Sequence, residues 1–234
     1  MQKQTMKKFI QKFSFSQGLA WVYEVLMFFA LILAFMQYFA SGSSGKGQAI
    51  LLIIEIIAGI IVGFFPVWVA NKLNYQVPRQ LYAFFITFLF ASVYLGTLQH
   101  FYRFAFWDKG LHLVSSSLEV CLGLALFAVL VTPEIQAKIS RTFVIFYAFC
   151  FSLLCGVLWE LYEFTCDSFG MNLQRYLLNG HPKVGRAALM DTMTDLLCDF
   201  AGALLFCIYL YFKFRRDPGS LKTFFFNKKS SMDS

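Results

Sequence analysis

Six long apolar runs constrain this chain more than any other feature. Lipid offers the backbone no hydrogen-bond partners, so a run of about 20 apolar residues at membrane depth must satisfy its own peptide groups as a helix. The runs cover roughly 18–40, 50–70, 81–103, 112–132, 142–166 and 190–213. At about 1.5 Å per residue each is long enough to cross about 30 Å of hydrocarbon. The 59% hydrophobic content, with 30 Phe, exceeds the apolar share of water-soluble domains, and the 14% charged content falls below their charged share. The predicted fold class is therefore all-α: a polytopic membrane helix bundle of about six transmembrane helices.

The segments between the runs carry turn chemistry, in Ser41–Gly45, in 71–79 with Pro78, in Trp107–Gly110 and in Thr132–Pro133–Glu134. No separate soluble domain fits between them. A single integral membrane domain over 1–234 is expected, with 1–17 a cytoplasmic N-terminal segment, 18–213 the six-helix bundle and 214–234 a cytoplasmic basic tail. Lys3, Lys7, Lys8 and Lys12 before the first run resemble the start of a signal peptide. The run itself is longer than a signal core of about 7–15 residues, so a retained anchor is expected. The longest connection, about 167–189, mixes Phe169, Met171, Leu173, Tyr176, Leu177 and Leu178 with Arg175. That mixture suits an amphipathic surface loop, or a short interfacial or re-entrant segment that covers a site.

Basic residues set the orientation. With six spans, one side receives Lys3, Lys7, Lys8, Lys12, Lys72, Arg79, Lys138, Arg141, Lys213, Arg215, Arg216, Lys222, Lys228 and Lys229, and the other receives Lys46, Arg103, Lys109, Arg175, Lys183 and Arg186. The richer side is expected to be cytoplasmic, which puts both termini inside a multi-pass plasma-membrane protein. The net charge of +7 is then chiefly a topology signal, with some attraction to anionic headgroups. The basic residues flank spans and form no continuous patch, so nucleic acid is not an expected partner. The six cysteines fall within or at the ends of the runs without Cys-x-x-Cys spacing, which points to packing rather than to a disulfide framework or zinc ribbon.

Against this apolar background stand three polar clusters: Asp108-Lys-Gly-Leu-His112, Glu160-Leu-Tyr-Glu163 and Asp191-Thr-Met-Thr-Asp195-Leu-Leu-Cys-Asp199. Alternation of the spans puts all three in the outer half of the membrane. Asp108, His112, Ser116 and Glu119 share one helical face if the helix begins by Asp108. Glu160, Glu163 and Asp167 repeat the pattern, as do Asp191, Asp195 and Asp199. Eight of the thirteen acidic residues lie in these stripes. A carboxylate at bilayer depth costs roughly 3 kcal/mol even on the lenient insertion scale, and such residues usually face a bundle interior. His100 and Glu55 are peripheral to the stripes. Glu24, near the cytoplasmic end of the first span, is expected to snorkel or to make a local hydrogen bond.

So many carboxylates at low dielectric need compensation. Protons would supply it by coupled titration, Lys109, Arg103, Arg175 and Arg186 by ion pairing, and a divalent metal most completely. A histidine with several carboxylates suits zinc, manganese, iron or magnesium, with Asp108, His112, Asp191 and Asp195 as the candidate ligands. The chain has neither the His-Glu-x-x-His of zinc proteases nor the Glu-x-x-His of bundle di-iron sites.

The order Asp108-Lys109-x-x-His112, then Glu160-x-x-Glu163, then Asp191-x-x-x-Asp195 followed by Gly202 resembles the uncharacterised YjdF-like membrane-spanning proteins, and more distantly the VanZ-like proteins. The likeness covers about residues 100–210. In place of the small residue expected soon after the histidine, the chain has Ser115-Ser116-Ser117. The resemblance implies architecture and a shared polar site, and no particular reaction.

Three functions fit. One is a metal-dependent or dual-carboxylate hydrolase or transferase acting on a membrane lipid or a lipid-linked envelope precursor. In it Glu160 or Glu163 activates water, and Glu119, Asp199, Arg175 and Arg186 serve as accessory or substrate-binding groups. The second is a cation- or proton-coupled transporter, although no repeated half or matching cytoplasmic polar stripe is visible. The third is a non-catalytic envelope accessory protein whose polar core ties helices together. The oligomeric state is not encoded in any of these patterns.

Overall fold

The computed structural model describes residues 15–43, 45–104 and 106–228. Lys3, Lys7, Lys8, Lys12 and Lys229, used above for orientation, lie outside them. Six helices have the length and hydropathy to cross a membrane: α1 (Phe15–Ala40), α2 (Lys46–Lys72), α3 (Arg79–Leu89, continued as a π-helix over Phe90–Leu98), α4 (Trp107–Leu130), α5 (Arg141–Asp167) and α6 (Arg186–Arg216). Large apolar side chains such as Phe28, Phe29, Ile54, Ile61, Phe146 and Leu205 stand exposed on their outer faces. That surface suits hydrocarbon and explains why so apolar a chain leaves much of its apolar content outside its core. The protein is an all-α polytopic membrane protein.

The helix ends differ instructively from the apolar runs. The third helix stops at Leu98, where hydropathy predicts about residue 103. His100 takes a left-handed φ of 60°, and Phe101–Arg103 form a separate 3-10 turn. The fourth helix starts at Trp107 rather than near 112, so Asp108, Lys109 and His112 occupy its first turns. The sixth extends from Arg186 to Arg216, beyond the expected 190–213. Residues 218–224, expected in a basic tail, form a 3-10 turn that packs on α4 and α6, with Phe224 edge-on to Phe214 at 5.9 Å.

The described residues divide into two compact units, 15–101 with 227–228, and 102–226. In the first, α1 packs on α2 and α3 through Ala20, Tyr23, Met27 and Ala34, a face of helical spacing. Tyr23 donates its hydroxyl to the Gly59 carbonyl (3.1 Å) and Tyr82 donates to the Gly63 carbonyl (3.2 Å). These bonds tie α1 and α3 to α2. A two-residue strand β1 (Tyr75–Gln76) also pairs antiparallel with the last described residues, Asn227–Lys228.

In the second unit α4, α5 and α6 contact one another mutually. One end is an apolar core of Val120, Leu124, Phe127, Val144, Ala148, Ala203, Leu210 and Phe214. The other end, formed by the start of α4, the end of α5 and the start of α6, carries the polar stripes. Ser140 caps α5 by accepting from the Phe143 amide (3.2 Å). Glycines set the close approaches: a Cβ on Gly202 would strike the Leu113 carbonyl and Ser116 Oγ of α4. All six cysteines are free, and Cys121 and Cys207 are buried.

The 167–189 connection is a loop, as its mixed composition suggests. It is a turn followed by a two-strand hairpin, Leu177–Leu178 against His181–Pro182. Glu24 departs from expectation. It neither snorkels nor makes a local hydrogen bond, being 2% exposed with neither oxygen bonded to a partner among the described residues.

Candidate functional site

The polar end of the second unit is organised around two side chains of α4. Lys109 Nζ donates to Asp195 Oδ2 (2.6 Å) and Asp191 Oδ1 (2.7 Å) of α6, and lies 3.4 Å from its neighbour Asp108. One helical turn on, His112 Nδ1 lies 3.2 Å from Asp199 Oδ1. Its Nε2 faces Asp195 Oδ1 at 3.7 Å and Asp108 Oδ1 at 4.0 Å, both beyond hydrogen-bond range. Helix periodicity explains the alignment: residues 191, 195 and 199 form one stripe on α6 that faces 108, 109, 112 and 116 on α4.

Space for this stripe comes from Gly156 of α5, where a Cβ would sit 2.6 Å from Asp199 Oδ2. Deeper in the unit, Ser152 Oγ donates towards the Ser116 carbonyl (3.0 Å) and Glu119 Oε2 (3.1 Å). Glu119 is thereby held between α4 and α5. Glu160 is buried, with Oε2 accepting from Gln174 Nε2 (3.3 Å) and Oε1 without a hydrogen-bond partner among the described residues. Gln174 also donates to Thr192 Oγ1 (2.8 Å), joining the loop to α6.

The loop reaches the site because Asp167 organises it. The Asp167 carboxylate accepts from the main-chain amides of Leu173 and Gln174, so the last member of the α5 stripe folds the loop instead of joining the acidic cluster. Asn172 (φ 58°) and Arg175 (φ 48°) take left-handed backbone that L-residues adopt at some cost. The Arg175 guanidinium then lies 3.3 Å from Asp108 and 3.8 Å from Asp191.

The structure thus brings together Asp108, His112, Asp191, Asp195, Asp199 and Arg175. Glu160 borders them through Gln174. Glu163 is half-buried and accepts from Trp159 Nε1 (3.0 Å). Arg186 is exposed at the first residue of α6 and joins no ion pair among the described residues. Glu55 lies exposed on α2, and His100 is exposed beyond α3.

Two partners escape a candidate list built on acidic stripes, Gln174 and Ser152, whereas Lys109, expected to neutralise carboxylates by ion pairing, does so. The Asp-Lys-x-x-His spacing carried a signal for Lys109, since its charge lies among the acids. Gln174 had none, because only the fold of the loop brings it to Glu160. Tyr102, in the 3-10 turn before α4, also belongs to the surroundings. Burial pushes its hydroxyl well above its ordinary range, the carboxylates of Asp108 and Glu163 add to the effect, and Arg175 opposes it.

The donor set suits a cation. One atom each from Asp108, His112 and Asp195 lies within 4.8 Å of the others. Bonds of about 2.1 Å in tetrahedral geometry would set such donors about 3.4 Å apart, so the 3.7 and 4.0 Å separations from His112 Nε2 must close somewhat, and the Asp108 and Asp195 oxygens, within 4.8 Å of each other, must close with them. With its proton on Nδ1 towards Asp199, His112 would present Nε2 as an acceptor or ligand, the arrangement carboxylates support behind metal-bound histidines. With His112 neutral, the four aspartates outnumber Lys109 and Arg175 by two charges.

Six lipid-compatible helices and an internal acidic and histidine cluster define a polytopic membrane protein with a buried polar site. The chain belongs to the predicted membrane protein family DUF2238, whose model matches residues 23–216, from α1 through the end of α6. It is similar to an uncharacterised protein of Thermotoga maritima, with 28% identity over 167 residues that cover 69% of this chain and 79% of the relative. No solved structure matches.

Proposed function

We propose that this protein is a membrane-embedded hydrolase or transferase in which Asp108, His112 and Asp195 hold a divalent metal and act on a lipid or lipid-linked envelope precursor. The observation that carries the reading is the open side of the cluster. His112 Nε2 and the unbonded Asp195 Oδ1 face each other beyond hydrogen-bond distance, while Asp199 anchors Nδ1. Zinc, manganese, iron or magnesium would supply Lewis-acid activation of water or of a phosphoryl oxygen.

The chain's own residues divide the remaining work. Asp199 orients His112, and Lys109 holds Asp191 and Asp195 in register through its 2.7 and 2.6 Å contacts. Glu160, with one oxygen unbonded, is the better placed base; Glu163 is engaged by Trp159. Arg175, about one-third exposed, is the side chain that would meet an anionic headgroup. By the positive-inside bias the site opens at the outer leaflet of the plasma membrane, with both termini cytoplasmic. The motif order shared with YjdF-like and VanZ-like proteins is part of the same proposal.

Elemental analysis of the purified protein tests it. About one divalent metal per chain is expected in the parent, lost in His112→Ala and Asp195→Asn while both variants remain folded. A metal-free parent whose thermal midpoint does not respond to any added divalent ion would sink the reading. One observation favours a second function, an accessory protein with a structural polar core: Lys109 already engages three carboxylates. That reading expects the metal-free result.

A further inference from the structure

A second unusual carboxylate lies in the first unit. Glu24 of α1 lines a cavity of about 470 Å³, within the range of small-molecule sites, that is built from α1, the end of α2 and the start of α3. The side chain is 98% buried, and neither oxygen has a hydrogen-bond partner among the described residues. The hydroxyls of its chain neighbour Tyr23 and of Tyr82, which lines the same cavity, bond elsewhere, to the Gly59 and Gly63 carbonyls. Gly63 makes room for the carboxylate, since a Cβ there would collide with Glu24 Oε1. A buried carboxylate given space but no donor among the described residues is costly unless a further group supplies hydrogen bonds and charge.

The lining identifies the class of that group. Among the described residues Glu24 is the single carboxylate in it, too few for a divalent ion that seeks several hard oxygens. Trp21, Phe64 and Tyr82 line the same space, and aromatic faces beside a carboxylate suit an organic cation. A primary ammonium offers the N–H donors that Glu24 lacks; a quaternary ammonium does not.

We propose that this cavity binds a primary alkylammonium group with Glu24 as its counter-ion. Two sources carry that chemistry, a free amine and the ethanolamine headgroup of a phospholipid. Arg79 also lines the cavity, in reach of the phosphate that accompanies the second.

The test uses the full chain in phosphatidylcholine nanodiscs, titrated calorimetrically with ethanolammonium chloride against sodium chloride of equal ionic strength. Saturable binding is expected in the parent, at least tenfold weaker in Glu24→Gln and severalfold weaker in Trp21→Ala, whose exposed ring is removable without opening the core. Tetramethylammonium should bind at least tenfold more weakly than ethanolammonium. Nanodiscs containing one-fifth phosphatidylethanolamine separate the sources: a reduced apparent affinity for the free amine assigns the site to the lipid headgroup, and an unchanged one to a soluble amine. No saturable binding in the parent together with no change in its thermal midpoint on adding phosphatidylethanolamine overturns the proposal. So does undiminished binding by a folded Glu24→Gln, or equal binding of tetramethylammonium.

Discussion

Asp195 and Glu24 are hidden to almost the same degree, 1% and 2% exposed, yet their surroundings compensate them in opposite ways. Asp195 shares Lys109 with Asp191, faces His112, and sits in a unit where Arg175 is folded in from a loop. Glu24 has two tyrosines beside it that bond to main-chain carbonyls instead, and a cavity in front of it. Burial alone therefore says little about a membrane carboxylate; what matters is whether its donors come from the same chain. The first arrangement resists loss of a partner poorly, and the second is open to a partner from outside.

The sharpest way to break this contrast is to remove a cation on one side and a charge on the other. Lys109→Met leaves Asp191 and Asp195 without their closest donor, and breaking a buried pair in this manner costs about 3–5 kcal/mol. Denaturant unfolding in detergent should show a loss near the lower end, because Lys109 keeps 18% of its side chain exposed. Glu24→Gln removes a charge that no described residue compensates, and should move the same midpoint by less than about 1 kcal/mol. Equal losses in the two variants would erase the distinction.

Each unit also has a buried carboxylate that depends on a glycine for space, Asp199 in one and Glu24 in the other, so the next effect should be common to the two units. Gly156→Ala drives a methyl against Asp199, and Gly63→Ala drives one against Glu24. Overpacking of this kind costs about 1–3 kcal/mol. Gly156→Ala should also lower the metal content found by elemental analysis, because Asp199 positions His112. Gly63→Ala should leave it unchanged.

The smallest expected effect probes the deep edge of the cluster. Ser152→Ala removes the hydroxyl shared by Glu119 and the Ser116 carbonyl. A loss of about 1 kcal/mol in the unfolding free energy is expected, with metal content retained. Loss of metal in that variant would extend the site to Glu119.

Much of the fold was legible along the chain because the signals are local. Apolar run length located all six helices, and a spacing of four residues put Asp191, Asp195 and Asp199 on one face before any neighbour was known. Local signals also misled. Hydropathy ran past Leu98 because Phe101 and Tyr102 are apolar, whereas the backbone turns at His100 through a left-handed conformation. Asp167 fitted the α5 stripe by spacing, yet its carboxylate binds loop amides. Glu24 looked like a residue that would reach for water, and no periodicity distinguishes that from a carboxylate packed beside Gly63.

The sequence by itself determined that the chain is a six-helix membrane protein and which acidic residues share helical faces. Backbone hydrogen bonding in lipid and the 3.6-residue period both act within a single segment, so no partner is needed to infer them. Only the tertiary structure decided how each charge is answered. Lys109 meets two aspartates more than 80 positions away, Asp199 fits because a glycine on another helix leaves room, and Arg175 arrives through a loop folded on Asp167. Compensation of a buried charge depends on atoms a few ångströms away in space, and those atoms come from whichever helix packs against it.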